Sequence, residues 1–342
     1  MTIHAGAVTR AQAPTIRQVA AVAGVSRATA SRVINGGHLV SPQTRAAVEA
    51  AIAELGFVPN PIARSLATRR TGSVALVVPE PNDRLLTDPF FGGVINTLSL
   101  VLEESDLQMV LLIARQGATD RAARYLVQGH VDGAVVVSHH RDDSLNRDLV
   151  LSGLPCVFIG RPLDLVTSSY VGVQDIPGAG LAVDHLVATG RRRIGTIAGP
   201  ADMTAGVDRL AGWRQAMAAV GLPDDAVEPA DFTVAGGAEA MGRLLDAHPD
   251  LDAVFAASDL MASGALRELR RRGLAVPDDV AVVGFDDIGV AATTDPPLTT
   301  VAQPLGRMVE TAGQMLIGML GGDPRPEAPV LYEAKLTVRR SA

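Results

Sequence analysis

From Ser73 onward the chain alternates between two hydrophobic rhythms. SVALVVP, QMVLLIA, GAVVVS and CVFIG are short β-branched apolar runs, and apolar residues recur at helical spacing between them, around Val94 to Glu104, Asp120 to Gln128 and Asp143 to Leu151. A strand buried on both sides has no polar alternation, so such runs separated by amphipathic helices predict a parallel sheet covered on both faces. A second set follows: YVGV, RIGTIAG, AVFAAS and VAVVGF, with helices expected around Gly178 to Thr189, Asp208 to Val220, Ala235 to Ala247 and Leu260 to Arg272. Two sets predict two doubly wound lobes, with a ligand crevice at the carboxyl ends of their strands.

Before Ser73 the pattern is helical only. Thr15 with Gln18 three residues later is a capping-box signature opening a helix from Ile16 to Ala23. Gly24 supplies a tight turn, and Ser26 caps a second helix whose Ala30, Val33 and Ile34 face inward. Arg27, Ala28, Thr29, Ser31 and Arg32 are left to face out. Ser41 and Pro42 open a third helix, and its stripe of Val48, Ile52 and Leu55 can close a three-helix core with Val19, Ala20 and Val33. This is helix-turn-helix geometry, with an outer surface of short polar residues and arginines small enough to enter a major groove. Further on, Asn60 and Pro61 can start a short helix from Ile62 to Ala67 that is marginal alone and needs a partner surface to order it. Leu66 on that helix is either a docking contact or a wedge for a minor-groove step.

Charge sharpens the reading of this half. Residues 1 to 72 carry eight arginines against Glu49 and Glu54, a net +6 on a chain whose formal net charge is −7, which leaves −13 on the rest. No folding argument requires that segregation, and a basic block on an acidic chain is an electrostatic footprint for phosphate. At 342 residues two or three domains are expected, and 47% apolar with 20% charged residues is the composition of a soluble globular protein. No run approaches a membrane span, and Met1 to Pro14 lacks the apolar core of a signal peptide and reads as a loose extension. Cys156, the single cysteine, excludes a disulfide framework and fits a buried thiol in a reducing cytoplasm.

The stretch TIRQVAAVAGVSRATASRVINGGHLVSPQTRAAVEAAIAELGFVPNPIARSLA resembles the DNA-binding headpiece and hinge of the lactose/galactose repressor family, LacI/GalR. Downstream, DPFFGG, IGRP, GPADMTAGVDRLAGW, ASDLMASGAL, VVGFDD and PPLTTVAQP resemble that family's effector domain, which is similar to periplasmic sugar-binding proteins. The resemblance covers almost the whole chain after Pro14. It implies that Arg27, Ala28 and Arg32 fall on base-reading positions and that Thr15, Ser26, Thr29, Ser31 and Asn35 fall on phosphate-facing or supporting ones. Arg17, Asn60 and Ala63 complete the expected DNA-facing set, and Leu66 takes the place of the leucine pair that hinge helices insert into the central minor groove. In the effector domain the resemblance implies contacts from Arg209 and Asp286, from Asp88 with Phe90 and Phe91, and from Arg161 and Ser258. Gln174-Asp175-Ile176 departs from the family's usual Asp-Asn-Arg run, which puts a contact from that loop in doubt.

Catalytic patterns do not compete well. There is no G-x-G-x-x-G after a strand, no P-loop lysine and no G-x-S-x-G elbow, and the only lysine is Lys335. His139-His140 in a polar loop reads as solvated surface with the two rings pointing apart, and Asp286-Asp287 as one crevice carboxylate and one helix cap. The expected fold is therefore a small all-α helix-turn-helix headpiece plus an α/β effector domain of two doubly wound parallel-sheet lobes. Residues 1–14 form the extension, 15–58 the headpiece, 59–72 the hinge and linker, and 73–342 the effector-binding and dimerisation body. The expected function is a cytoplasmic repressor of carbohydrate-utilisation genes, without cofactor or metal. It binds operator DNA as a homodimer, since one headpiece reads only a half-site, and VRRSA offers no heptad tail for a tetramer. A sugar or small oligosaccharide effector is expected, a glucoside such as cellobiose or maltose by resemblance. A regulator answering to a purine or a phosphoprotein corepressor, or a sugar-modifying enzyme, are the readings left beside it.

Overall fold

A computed structural model describes residues 14–34, 40–57, 70–115, 119–141 and 144–342. It divides into two compact units, Met1–Thr71 and Gly72–Ala342.

In the first unit three helices, α1 (Ile16–Val22), α2 (Arg27–Ile34) and α3 (Pro42–Leu55), surround a core of Val19, Val33, Val48 and Ala51. Each starts on a short-range cap. The amide of Gln18 donates to Thr15 Oγ1 at 3.4 Å while the Thr15 amide donates to Gln18 Oε1 at 2.7 Å; Thr29 N donates to Ser26 Oγ and Thr44 N to Ser41 Oγ. These satisfy amides that the first turn leaves without partners. Gly24, at φ +66°, turns the chain between α1 and α2 in a conformation other residues resist. The expected hinge helix, with Asn60, Ala63 and Leu66, and Asn35 after α2 lie outside the described residues.

The second unit holds two six-stranded sheets. Lobe one contains β1 (Ser73–Val78), β2 (Gln108–Ile113), β3 (Gly133–Val137), β4 (Cys156–Ile159), β5 (Tyr170–Val173) and β11 (Val330–Tyr332), in the order β11-β5-β4-β3-β1-β2. Lobe two contains β6 (Ile194–Ala198), β7 (Val227–Pro229), β8 (Ala253–Ala256), β9 (Ala281–Asp286), β10 (Thr299–Ala302) and β12 (Lys335–Thr337), in the order β12-β10-β9-β8-β6-β7. All pairings are parallel except β10 with β12. The helices that cover them are α4 (Asn82–Thr87), α5 (Pro89–Glu103), α6 (Thr119–Tyr125), α7 (Ser144–Ser152), α8 (Asp175–Ala188), α9 (Thr204–Ala219), α10 (Val234–Ala247), α11 (Asp259–Arg271), α12 (Val290–Thr293) and α13 (Leu305–Gly321). A wider helical turn, Leu126–His130, extends α6.

Two expectations need correction. Tyr170–Val173 is not the first strand of lobe two: it pairs with β4 and β11 and closes lobe one. QMVLLI is not buried on both faces, because β2 is an edge strand on which Leu111 and Ile113 stay 41% and 38% exposed. The chain passes between lobes three times, at 173–175, 302–305 and 332–335. Helix α13 thereby returns from lobe two to pack on β3, β4, β5 and α5. One core runs through both lobes, from Val74, Leu98 and Leu316 to Trp213, Phe255 and Phe285. Cys156 is buried at the foot of lobe one, and desolvation pushes its thiol up to about 11, well away from reactivity at neutral pH. Among the described residues no helix is long and apolar enough to cross a membrane.

Candidate functional site

On the first unit, the side of α2 opposite Ala30 and Val33 carries Arg27, Ala28, Ser31 and Arg32. The two arginines and Ala28 are exposed, and Thr29 and Ser31 are half-buried. Residues 27, 28, 31 and 32 lie on one helical face by their spacing, so the cap that starts α2 also fixes what that face shows. Ser26, Thr15 and Arg17 are exposed beside it. Ser26 is occupied in capping, its Oγ taking the Thr29 amide at 3.0 Å.

On the second unit a crevice of about 820 Å³, open mouth included, lies where the carboxyl ends of both sheets meet. This is the position a doubly wound topology dictates, because strand ends and helix starts converge there. Lobe one lines it with Arg84, Asp88 and Phe90 beyond β1, Ser138 and His139 beyond β3, and Gly160 and Arg161 beyond β4. Lobe two adds Thr204 and Arg209 from α9, Phe232 beyond β7, Ser258 beyond β8, Asp286 ending β9 and Gln303 beyond β10. Asp175, opening α8, completes it.

Arg209 is the centre. Its Nε donates to Asp175 Oδ1 at 2.7 Å, and its Nη1 donates to Asp286 Oδ1 at 3.0 Å and to the Ala257 carbonyl at 2.7 Å. The Phe285 ring lies beneath, with its centroid 3.7 Å from Cζ, a cation-π contact in a desolvated place. The helix brings this about because Thr204, Gly206, Arg209, Gly212, Trp213 and Met217 form its buried stripe. Gly212 is needed for the approach of α8: a Cβ there would sit 2.2 Å from the Ile176 carbonyl. Without that close crossing Asp175 would not reach Arg209.

Burial pushes the Asp286 carboxyl up, only partly offset by Arg209, and burial raises Asp175 as well. Burial also opposes the charge of Arg209, but Asp286 and Asp175 outweigh it and hold its pKa above the ordinary value. The set is a buried cation between two carboxyls. Gln303 Nε2 donates to Asp286 Oδ1 at 2.7 Å, so both side-chain bonds to Asp286 fall on one oxygen. Asp286 itself sits at φ +114°, a strained conformation for a residue with a side chain, of the kind that clusters at ligand sites. Behind it Asp259 is buried at the start of α11, accepting from Thr300 Oγ1 at 2.6 Å and from Ile288 N at 3.0 Å; burial and the neighbouring Asp286 raise its pKa.

The other expected contacts divide. Asp88 caps α5 by accepting from Phe90 N at 2.9 Å, and burial raises its carboxyl. Phe90 faces the crevice, whereas Phe91, 1% exposed, is a core residue and not a crevice contact: one step along a helix turns it by roughly 100° into the lobe. Ser258 lines the crevice while capping α11, its Oγ taking Met261 N. Arg161 crosses to lobe two, where its Nη2 donates to both oxygens of Asp208 at 2.8 Å.

The histidine pair is not solvated surface. His139 is buried edge-on to Phe158, with Nε2 3.2 Å from the Gly160 carbonyl, and desolvation lowers its pKa to about 4, so it is neutral. His140 is largely covered and contacts Glu80 and Asp202. The rings do point apart, as expected, but each has a buried partner. Asp287 caps no helix; it pairs with Arg339 at 2.7 Å and accepts from Thr337 Oγ1 at 3.0 Å, fastening β12. Asp175, Phe232, Gln303, Arg84 and Glu80 are not singled out as contacts by the sequence. PPLTTVAQP holds Gln303, but nothing local distinguishes Phe232 or Glu80 from loop residues. Among the described residues no group of His, Cys, Asp and Glu is arranged to hold a metal ion.

Comparison with known proteins decides what this architecture belongs to. Residues 15–60 match the profile of bacterial regulatory proteins of the lacI family, and residues 183–342 match that of the periplasmic binding protein-like domain. The transcriptional regulator CelR of Thermobifida fusca is 48% identical over 97% of this chain and 99% of its own. The chain belongs to the LacI family of bacterial transcriptional regulators. MalR of Streptomyces coelicolor, another transcriptional regulator, is 35% identical over 95% and 96% of the two chains. Among solved structures, a CelR-cellobiose complex superposes with a TM-score of 0.77 at 46% identity, covering 96% of this chain and all of that one. The lac repressor dimer bound to operator and the anti-inducer ONPF gives 0.84 at 26% identity, covering 96% and 99%. As a LacI-family member this protein is a DNA-binding regulator and not an enzyme, with a helix-turn-helix unit on the first seventy residues and a two-lobed effector unit on the rest.

Proposed function

We propose that this LacI-family regulator represses carbohydrate-utilisation genes. It holds a pseudo-palindromic operator as a homodimer and releases it when a neutral glucoside of the cellobiose type fills the crevice. The observation that carries the effector class is charge balance. Arg84, Arg161 and Arg209 line the crevice against Asp88, Asp175 and Asp286, and all three arginines are already paired, Arg84 with Glu80, Arg161 with Asp208 and Arg209 with Asp175 and Asp286. A phosphorylated or carboxylated ligand would therefore displace an existing partner. A neutral polyol instead joins a fixed set of donors and acceptors, with charge-assisted bonds to its hydroxyls from Arg209, Asp286 and Asp175. Phe90 and Phe232 line the crevice and add apolar surface for sugar C–H groups. A CelR-cellobiose complex at 46% identity supports a cellobiose-type ligand over a maltose-type one.

In this reading residues 15–58 read the DNA, 59–72 form the hinge and 73–342 bind effector and dimerise. Arg27, Ala28 and Arg32 meet base edges, with Thr15, Arg17, Ser26, Thr29, Ser31 and Asn35 on or beside phosphates, and Asn60, Ala63 and Leu66 act from the hinge. Asp88, Phe90, Arg161, Arg209, Ser258 and Asp286 serve the effector, now with Asp175, Phe232 and Gln303. The effector biases the angle between lobes, and the hinge passes that bias to the headpieces. The regulator works in the cytoplasm with no cofactor.

Calorimetry with cellobiose, maltose, glucose and a phosphorylated glucoside tests the effector: binding of the neutral disaccharide is expected and binding of only the phosphorylated sugar refutes the reading. The DNA half is tested by fluorescence anisotropy on operator and random duplex. Arg32→Ala should lose about 1–3 kcal/mol per half-site on operator alone, and affinity should fall steeply with salt through counterion release. Equal losses on both duplexes would make Arg32 a phosphate contact.

A further inference from the structure

Outside the Arg209 centre, one polar cluster spans the crevice mouth and is used by nothing described so far. Glu80, 2% exposed at the end of β1, accepts three bonds on its Oε1: from Arg84 Nη1 at 2.6 Å, from Ser138 Oγ at 2.5 Å and from His140 Nε2 at 3.2 Å. The other nitrogen of His140 reaches across to lobe two, with Nδ1 2.8 Å from Asp202 Oδ2, and the adjacent Arg141 amide donates to the Asp202 carbonyl at 2.7 Å. Arg84 follows the same crossing. Its guanidinium lies 5.4 Å from the Phe232 ring of lobe two, and it is a crevice-lining cation.

The imidazole has a carboxylate oxygen at each nitrogen. A neutral ring carries one N–H, so one carboxylate would face a lone pair; only the imidazolium donates to both. With Asp202 withdrawn to the other lobe, half of that demand disappears. Closing the lobes around His140 therefore takes up a proton.

We propose that His140 is a positioning residue for effector binding: as an imidazolium it clasps Asp202 of lobe two and, through Glu80, fixes Arg84 at the crevice mouth, so that effector affinity is linked to proton uptake. The inference rests on the reading that the crevice binds the effector. The surrounding groups agree with it. Glu80 and Asp202 raise the pKa of His140 against its partial burial. Facing them are Arg84, already bound to Glu80, the neutral His139 next to it, and Arg141, whose side chain is taken by Asp164 at 2.9 Å. From α7, Asn146 Nδ2 donates to the His140 carbonyl and brings no charge. The sign follows: a raised folded value means the clasp is complete at lower pH and is lost as pH rises through that value.

The first test is an NMR titration of the imidazoles in the full chain, with His140 assigned by its loss in His140→Gln. His140 should titrate above the ordinary histidine value of about 6.5 and move down toward it in Asp202→Asn, a change at a half-exposed side chain. Titration at or below the ordinary value in the wild type, or no response to Asp202→Asn, overturns the proposal. The second test is cellobiose calorimetry. Wild-type affinity should weaken at least about fivefold from pH 6.5 to 8.5, the low end of ordinary coupling between sites, and His140→Gln should flatten that dependence. Superimposable profiles overturn the proposal. A wild type that binds no cellobiose at any pH overturns the cellobiose reading instead, and the titration then decides the clasp alone.

Discussion

Both lobes lay six strands in the same order, yet they furnish the crevice differently. Lobe two contributes a preassembled polar centre: Arg209, Asp286, Gln303 and the Ala257 carbonyl are bonded to one another, joined by Asp175 from the helix packed on that lobe. Lobe one contributes Phe90, Arg84, Asp88 and Arg161: Asp88 bonds its own helix start and Arg84 is anchored on Glu80 of the same lobe, while Arg161 and Arg84 also reach across the mouth to Asp208, Met203 and Phe232. A centre that is complete within one lobe needs no closure to form, whereas a rim whose partners lie opposite is complete only when the lobes meet. On the proposed reading of the crevice, the pair would separate affinity, set by lobe two, from closure, set by lobe one.

The hardest blow to that separation comes from Arg209→Ala. It strands Asp175 and Asp286 together in a buried site, and breaking a buried ion set costs about 3–5 kcal/mol. Loss of cellobiose binding with operator binding kept is expected by calorimetry and anisotropy; retained binding would remove Arg209 from the centre. Next comes the aromatic contribution. Phe90→Ala and Phe232→Ala should each weaken cellobiose by about 0.5–1.5 kcal/mol, and a null result for Phe90 with a full loss for Phe232 would assign the apolar sugar contact to lobe two as well. A smaller effect is expected at the rim, where Asp208→Asn leaves Arg161 half-exposed and should cost at most about 1 kcal/mol of affinity, visible in the dissociation rate rather than in association. A large equilibrium loss would mean that lobe one binds as well as closes.

The last prediction isolates lobe two's hidden proton. The raised carboxyls of Asp259 and Asp286 bind protons more tightly folded than unfolded, so the stability they give is fully present below the ordinary carboxylate value and is lost as pH rises through their raised values. Thermal melts should fall across that range in the wild type and less in Asp259→Asn. Parallel curves would place the Asp259 carboxyl in the ordinary range.

How far these features could be read from the sequence depended on the distance between the residues that make them. Thr15, Ser26 and Ser41 declare the headpiece helices because each cap and its amide are three residues apart. The strands of the body are visible as apolar runs, but an apolar run does not say which sheet it joins: Tyr170–Val173 pairs with the preceding β4 and with β11, some 160 residues later. Arg209 and Asp286 were singled out, whereas Asp175 was set aside because its tripeptide departs from the family's run; its role comes from the crossing of α8 and α9 at Gly212. His139 and His140 read as polar loop because what covers them, Phe158, Glu80 and the Asp202 turn, comes from three distant segments.

The three passages between the lobes set the kind of signal the body can send. A single linking strand would let one lobe swing and spin freely, and two would still permit rotation about the line joining them. Three connections, two of them tied where Gln174 N donates to the Tyr332 carbonyl at 2.8 Å, would act as a piano hinge, easier to bend than to twist or slide. On the proposed reading, an effector in the crevice would then change chiefly one angle of the body, which a pair of distance labels, one on each lobe, would record as a single coordinate.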